Sequence, residues 1–207
     1  MKLICLGDSL TAGLKQNDTN HWVHIAEQET GDTYINKGIC GDTTGGMLAR
    51  FYRDVVEEHG KVVLIMGGMN DFISGDLPGH VKSNIMAMVH QAWFYQIKPI
   101  VGIPMFFDKD SLPKDWVAFT DFSYILEVYK RLRHWLHHFS QVFHTEIIDF
   151  ETGFEQLAKR PRHEYFADGL HPNDKGSLLM ADWLVRQNGY VVTKTTSMCQ
   201  NDTFANV

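Results

Sequence analysis

The sequence predicts an α/β fold, a three-layer α/β/α sandwich built on one parallel sheet of five strands. Three observations carry that expectation. Short apolar runs end repeatedly in Gly, Asn or Asp, and longer segments with helical spacing fill the intervals between them. Two of the runs, Lys61 to Met66 and Lys98 to Pro104, are almost continuously apolar, as strands buried on both faces are. The chain has 207 residues, 44% of them hydrophobic and 21% charged, which is ordinary globular composition with enough length for one substantial core.

The strands expected are Lys2 to Leu6, Thr33 to Lys37, Lys61 to Met66, Lys98 to Pro104 and Thr145 to Phe150. Between and after them, helices are expected over Trp22 to Glu29, Thr44 to Glu58, Val81 to Gln96, Asp121 to Phe143 and Asp174 to Arg186. Pro78 suits a first helical turn, Thr120 or Asp121 can cap the fourth helix, and Asn173 can cap the last. Strand–helix–strand connections to a parallel neighbour are short and right-handed, so the economical strand order is the flavodoxin-like 2-1-3-4-5. Residues 1–190 read as a single domain and 191–207 as a polar tail expected to fray. The segment from Met105 to Thr120 is a long aromatic connection, and long loops in compact domains are often functional.

Charge and cysteine usage narrow the functional classes. With 25 acidic and 19 basic residues the formal charge is −6, which repels phosphate backbones and anionic headgroups, so nucleic acid is not an expected partner. No run reaches membrane-spanning length, and Met1 to Leu6 is too short for a signal-peptide core, so a cytoplasmic location is expected. Cys5, Cys40 and Cys199 are too few and scattered for a disulfide framework or a metal site. Two histidine pairs, His134 with His138 and His21 with His24, lack the neighbouring carboxylates that would complete a zinc site. Lys130, Arg131 and Arg133 read as a solvated helix face.

Four places just beyond strand ends carry chemistry. Gly7-Asp8-Ser9-Leu10-Thr11 presents a serine after a sharp turn, although alone it could be an ordinary capped loop. Gly38 to Gly46 frees backbone N–H groups before a threonine-capped helix, as a glycine-permitted turn also would. Gly67-Gly68-Met69-Asn70-Asp71 offers a side-chain amide, and an asparagine there could equally hold a left-handed turn. In Asp168-Gly169-Leu170-His171-Pro172, the carboxylate stands three residues before the imidazole, a spacing that lets it fix the ring tautomer. Strand order 2-1-3 sets the first three places side by side. Ser9 could then act as nucleophile, His171 as base and Asp168 as its orienting carboxylate. The backbone N–H groups of Ser9 and Gly41 and the Asn70 amide would receive an oxyanion.

These four blocks, Gly7-Asp8-Ser9-Leu10-Thr11, Cys40-Gly41-Asp42-Thr43-Thr44, Gly68-Met69-Asn70-Asp71 and Asp168-Gly169-Leu170-His171-Pro172, resemble in order and spacing those of the GDSL or SGNH hydrolases. The resemblance covers residues 7 to 172 and departs from many members at Cys40, where they carry serine. It implies a flavodoxin-like three-layer fold and hydrolysis of a small-molecule ester, without metal or cofactor, through an acyl-serine. The same site could serve a thioesterase or a carbohydrate O-deacetylase. A rival from another class is a non-catalytic module holding flavin or phosphate on the Gly7 to Thr11 loop, against which the Asp8 carboxylate argues. Phe72, Ile73, Phe106, Phe107 and Trp116 are the residues expected to form an apolar substrate pocket.

Overall fold

The computed structural model describes the backbone of residues 1–198 and the side chains of residues 1–187. Five strands form one parallel sheet: β1 (Lys2–Gly7), β2 (Thr33–Gly38), β3 (Val62–Met66), β4 (Lys98–Ile103) and β5 (Glu146–Asp149), in the order β2-β1-β3-β4-β5. The helices in chain order are α1 (Ser9–Ala12), α2 (Trp22–Thr30), α3 (Thr44–Ala49), α4 (Met69–Ile73), α5 (Pro78–Phe94), α6 (Lys114–Phe119), α7 (Phe122–Phe143), α8 (Phe150–Leu157) and α9 (Asp174–Met198).

The strands are apolar on both faces because both faces are covered. In β1, Ile4 and Leu6 join a core with Val63, Ile65, Val101 and the inner faces of α5 and α7. Leu3 and Cys5 point the other way, into a core with Leu64, Ile100, Trp22 and Leu184 from α2 and α9. The period of two along each strand thus divides the apolar side chains between two helical layers. Register then places the site: Gly7 of β1 lies opposite Gly38 of β2 and Met66 of β3, so these three strand ends are level. Gly7 and Gly38 are glycines because α1 lies across them. A Cβ at Gly7 would stand 2.1 Å from Thr11 Oγ1, and one at Gly38 2.1 Å from the Ala12 nitrogen.

All five expected strands form, with no end moved by more than one residue. The helices differ more. The one expected unbroken over Thr44 to Glu58 stops at Ala49, followed by a π turn at Tyr52–Val56; Arg50, at the break, has φ of −102° and ψ of 3°. The Met105 to Thr120 connection contains a 3₁₀ turn at Lys109–Ser111 and the six-residue α6, both too short to show a helical period. Asp149 accepts from the N–H groups of Glu151 and Thr152 and so starts α8 where a strand end was expected. Asp121, not Thr120, caps α7. The last helix runs through Asn188 and Gly189 to Met198, beyond the Arg186 expected. The remainder of the expected polar tail, residues 199–207 with Cys199, lies outside the described residues. Among the described residues no helix is long and apolar enough to cross a membrane.

Candidate active site

Ser9 opens α1, four residues long, and is held from several sides. Asp8 caps the helix, its carboxylate accepting the Leu10 N–H at 2.9 Å. The buried Trp22 indole donates to the Leu10 carbonyl at 2.8 Å, and the Asn36 amide donates to the Thr11 carbonyl at 2.8 Å. Asp8 is itself buried without a cationic hydrogen-bond partner among the described residues. Burial pushes its carboxyl up to about 7, the Leu10 N–H opposes that rise, and the Asp42 and Asp71 carboxylates add to it.

His171 arrives from the loop before α9. Its Nε2 lies 3.0 Å from Ser9 Oγ, and its Nδ1 lies 2.9 Å and 3.1 Å from the two carboxylate oxygens of Asp168. The loop is stiffened by its own bonds: Asp168 Oδ1 accepts the backbone N–H groups of Leu170 and His171, and Asn173 donates to the carbonyls of Glu164 and Phe166. Burial works to raise the Asp168 carboxyl. The His171 backbone N–H, the imidazole and the Leu170 N–H outweigh it and hold the group below its ordinary value.

The second and third places close the corner. Asp42 donates its N–H to the Ile39 carbonyl at 3.1 Å, and Gly41 has φ of 79°, the value that the third residue of a type II turn requires. The turn is exposed, and the Asn70 amide donates to the Asp42 carbonyl at 2.8 Å. Asp71 is buried and accepts the Thr44 N–H at the start of α3, tying α4 to the element that follows the turn.

Ser9, Gly41, Asn70 and His171 line one cavity of about 310 Å³ with Leu14, Ile73, Trp116, Phe119, Phe122 and Leu170. Trp116 packs edge-on against the His171 ring at 6.0 Å. Of the five side chains expected to form a pocket, Ile73 and Trp116 therefore stand in it. Phe72, Phe106 and Phe107 do not. Phe72 and Phe106 pack on the buried Tyr129, and Phe107 packs on Phe122. Phe106 and Phe107 border a different hollow of about 680 Å³, lined by Lys109, Arg133, His134, His137, Glu151 and Arg162 among others, with none of the catalytic candidates. Arg133, expected on a solvated face, lies beside that hollow bonded to Asp149 and Glu155. Phe119 comes from the aromatic Met105 to Thr120 connection, whereas Leu14, Phe122 and Leu170, which the sequence did not point to, depend on tertiary packing.

A family model described as the GDSL-like lipase/acylhydrolase family matches residues 5–179. Among curated relatives, the esterase TesA of Pseudomonas aeruginosa is 32% identical over 95 residues, covering 44% of this chain and 47% of that protein. An arylesterase of Vibrio mimicus is 39% identical over 93 residues, covering 42% and 46%. The chain thus aligns with about half the length of these two relatives. A solved member of the lipolytic G-D-S-L family from Veillonella parvula superposes with a TM-score of 0.75 at 23% identity, covering 90% of this chain and 97% of that one.

Proposed function

The chain belongs to the GDSL-like lipase/acylhydrolase family, and from that premise we propose that it is a serine hydrolase cleaving carboxylic esters of small or medium acyl groups through an acyl-serine intermediate. The observation that carries the reading is the chain Ser9–His171–Asp168, in which two groups 162 positions apart in sequence meet at hydrogen-bond distance. Two relatives named for ester hydrolysis support it.

Ser9 Oγ attacks the acyl carbonyl carbon while His171 Nε2 takes its proton, and Asp168 stabilises the imidazolium that forms. The developing oxyanion receives the Ser9 and Gly41 N–H groups and the Asn70 amide. Its collapse expels the alcohol, which takes the proton from His171. Water, deprotonated by the same imidazole, then attacks the acyl-serine, and the bond to Ser9 Oγ breaks as His171 returns the proton to that oxygen and the acid leaves.

The cavity volume lies at the low end of small-molecule sites. Its other lining groups are apolar, and none is cationic. That favours uncharged esters over acyl groups carried on a polyphosphate such as coenzyme A. Comparing kcat/KM across p-nitrophenyl esters of rising chain length, acyl-CoA and acetylated sugars checks this preference, and a higher value for acyl-CoA would reverse it. The nucleophile is tested by treating the protein with a fluorophosphonate and mapping the adduct by mass spectrometry. Ser9 is expected to carry the label, and Ser9→Ala to lower kcat by roughly 10⁴ or more. A label elsewhere, or an undiminished rate in the variant, would refute the assignment.

A further inference from the structure

Arg50 stands where the helix after β2 breaks, and its guanidinium is buried against the back of the candidate oxyanion corner. It makes four hydrogen bonds, each to a different segment of the chain. Nε donates to Asp42 Oδ2 at 2.7 Å, in the turn that carries Gly41. Nη1 donates to the Lys37 carbonyl in β2 at 2.8 Å and to Asp54 Oδ2 at 2.7 Å. Nη2 donates to the Gly7 carbonyl at 2.8 Å, the end of β1 from which Ser9 follows two residues later.

The turn needs such an anchor. Ile39, Cys40 and Gly41 are exposed, and a Cβ built on Gly41 would meet nothing within 4 Å, so packing does not set the direction of the Gly41 N–H. What holds the turn are its bonds at either end: Ile39 N–H to the Gly7 carbonyl, Asn70 to the Asp42 carbonyl, and the Asp42 carboxylate to Arg50. The Asp42 and Arg50 side chains are 12% and 9% exposed, so this charge-assisted bond is largely shielded from water. A planar fork that bonds the nucleophile's strand and the donor's turn fixes the separation of the two groups that face one oxyanion.

From this geometry we infer that Arg50 is a positioning residue for the oxyanion site, acting through Asp42 to aim the Gly41 N–H at the carbonyl oxygen of the ester bound at Ser9. The inference rests on the serine-hydrolase reading above. The guanidinium does not touch substrate. Its effect falls on the transition state, where a donor misplaced by a fraction of an ångström stabilises charge poorly while ground-state binding is unchanged.

Asp42 and Asp54 separate this role from mere stabilisation, since both pair with Arg50 but only Asp42 sits in the turn. Asp54 also keeps Arg53 as a partner. Gly46 gives an independent handle. A Cβ there would stand 1.9 Å from Asp42 Oδ1, so Gly46→Ala must push the carboxylate off its seat without altering Arg50, and alanine suits the helix better than glycine. The measurements are kcat and KM on a p-nitrophenyl ester, Tm, and inhibition by a trifluoromethyl ketone, whose serine adduct carries an oxyanion.

Asp42→Ala and Gly46→Ala are expected to lower kcat by roughly 10- to 100-fold with KM changed less than about threefold, and to weaken the ketone by the same factor as kcat. Arg50→Lys, which keeps the charge and loses the fork, is expected to match them. The double variant Asp42→Ala/Arg50→Lys should be no slower than either alone. Asp54→Ala should lower Tm and leave kcat near the starting value. Wild-type kcat in folded Asp42→Ala and Gly46→Ala, or an equal loss of kcat in Asp54→Ala, overturns the inference while leaving Ser9 as the nucleophile. Absence of a fluorophosphonate label on Ser9 in the unaltered chain overturns both readings.

Discussion

The turn that follows β1 and the turn that follows β2 face the same point in space and are built in opposite ways. The first is buried: Ser9 and Leu10 are 7% and 6% exposed, and Trp22 and Asn36 brace the backbone behind them. The second is open to solvent, with Ile39 at 46% exposure, and is secured by polar ties to Arg50 and Asn70. The turn after β1, fixed by packing, resists displacement along its whole length. The turn after β2, fixed by a few directional bonds, is accurate only while each of them holds, and it leaves the mouth of the cavity open.

Asn70 is where the contrast breaks most sharply, because its amide is both a candidate oxyanion donor and a tie on the Asp42 carbonyl. Asn70→Ala removes a donor and loosens the turn together, so kcat is expected to fall by about 10² to 10³, with Tm changing little. Steady-state kinetics check it, and a loss below tenfold would mean that the amide serves neither role. The two glycines then separate packing from polar restraint. Gly7→Ala drives a methyl into Thr11 and the Met66 carbonyl and is expected to destabilise the fold by about 1–3 kcal/mol or more. Gly41→Ala meets no atom and bears only the strain of a positive φ, about 1 kcal/mol of stability. Its main effect should be on kcat, through rotation of the N–H it carries. Thermal unfolding and kcat measured on both variants test whether the losses divide in that way.

The buried turn was also the more legible one. The β1 run ending in Gly7, and Ser9 two residues on, are local features, as are the Asp168–His171 spacing and the alternation that predicts order 2-1-3-4-5. Local pattern was enough to set these residues at neighbouring strand ends. The pocket was read less well because aromatic identity does not show direction. Phe106 and Phe107 begin the connection after β4 while still against the core, whereas Phe119, one helix later, reaches the cavity. Arg50 was read as one more position of a continuous helix. Its partners lie in β1, β2, the turn after β2 and the π turn at Tyr52–Val56, between 4 and 43 positions away, and no periodicity reports such partners.

The smallest effect distinguishes the two carboxylates that flank the corner. Asp42 faces the Arg50 guanidinium, whereas Asp8 accepts the Leu10 N–H, and burial raises its carboxyl from 3.8 to about 7. The folded chain therefore keeps a proton on Asp8 between about pH 4 and pH 7 that the unfolded chain has released, so this group's stabilising effect is complete below pH 4 and is lost as pH rises through 7. Carboxyls held low, Asp54 at about 2 among them, act in the opposite sense and at lower pH, losing their contribution as pH falls. Asp8→Asn keeps the capping oxygen and removes the titration. Its Tm relative to the unaltered protein should rise by roughly 3 °C or more between pH 5 and pH 8, since each kcal/mol is worth about 2–4 °C in a chain of this size. A Tm difference that stays constant across that range would show that Asp8 is already ionised in the folded state at pH 5.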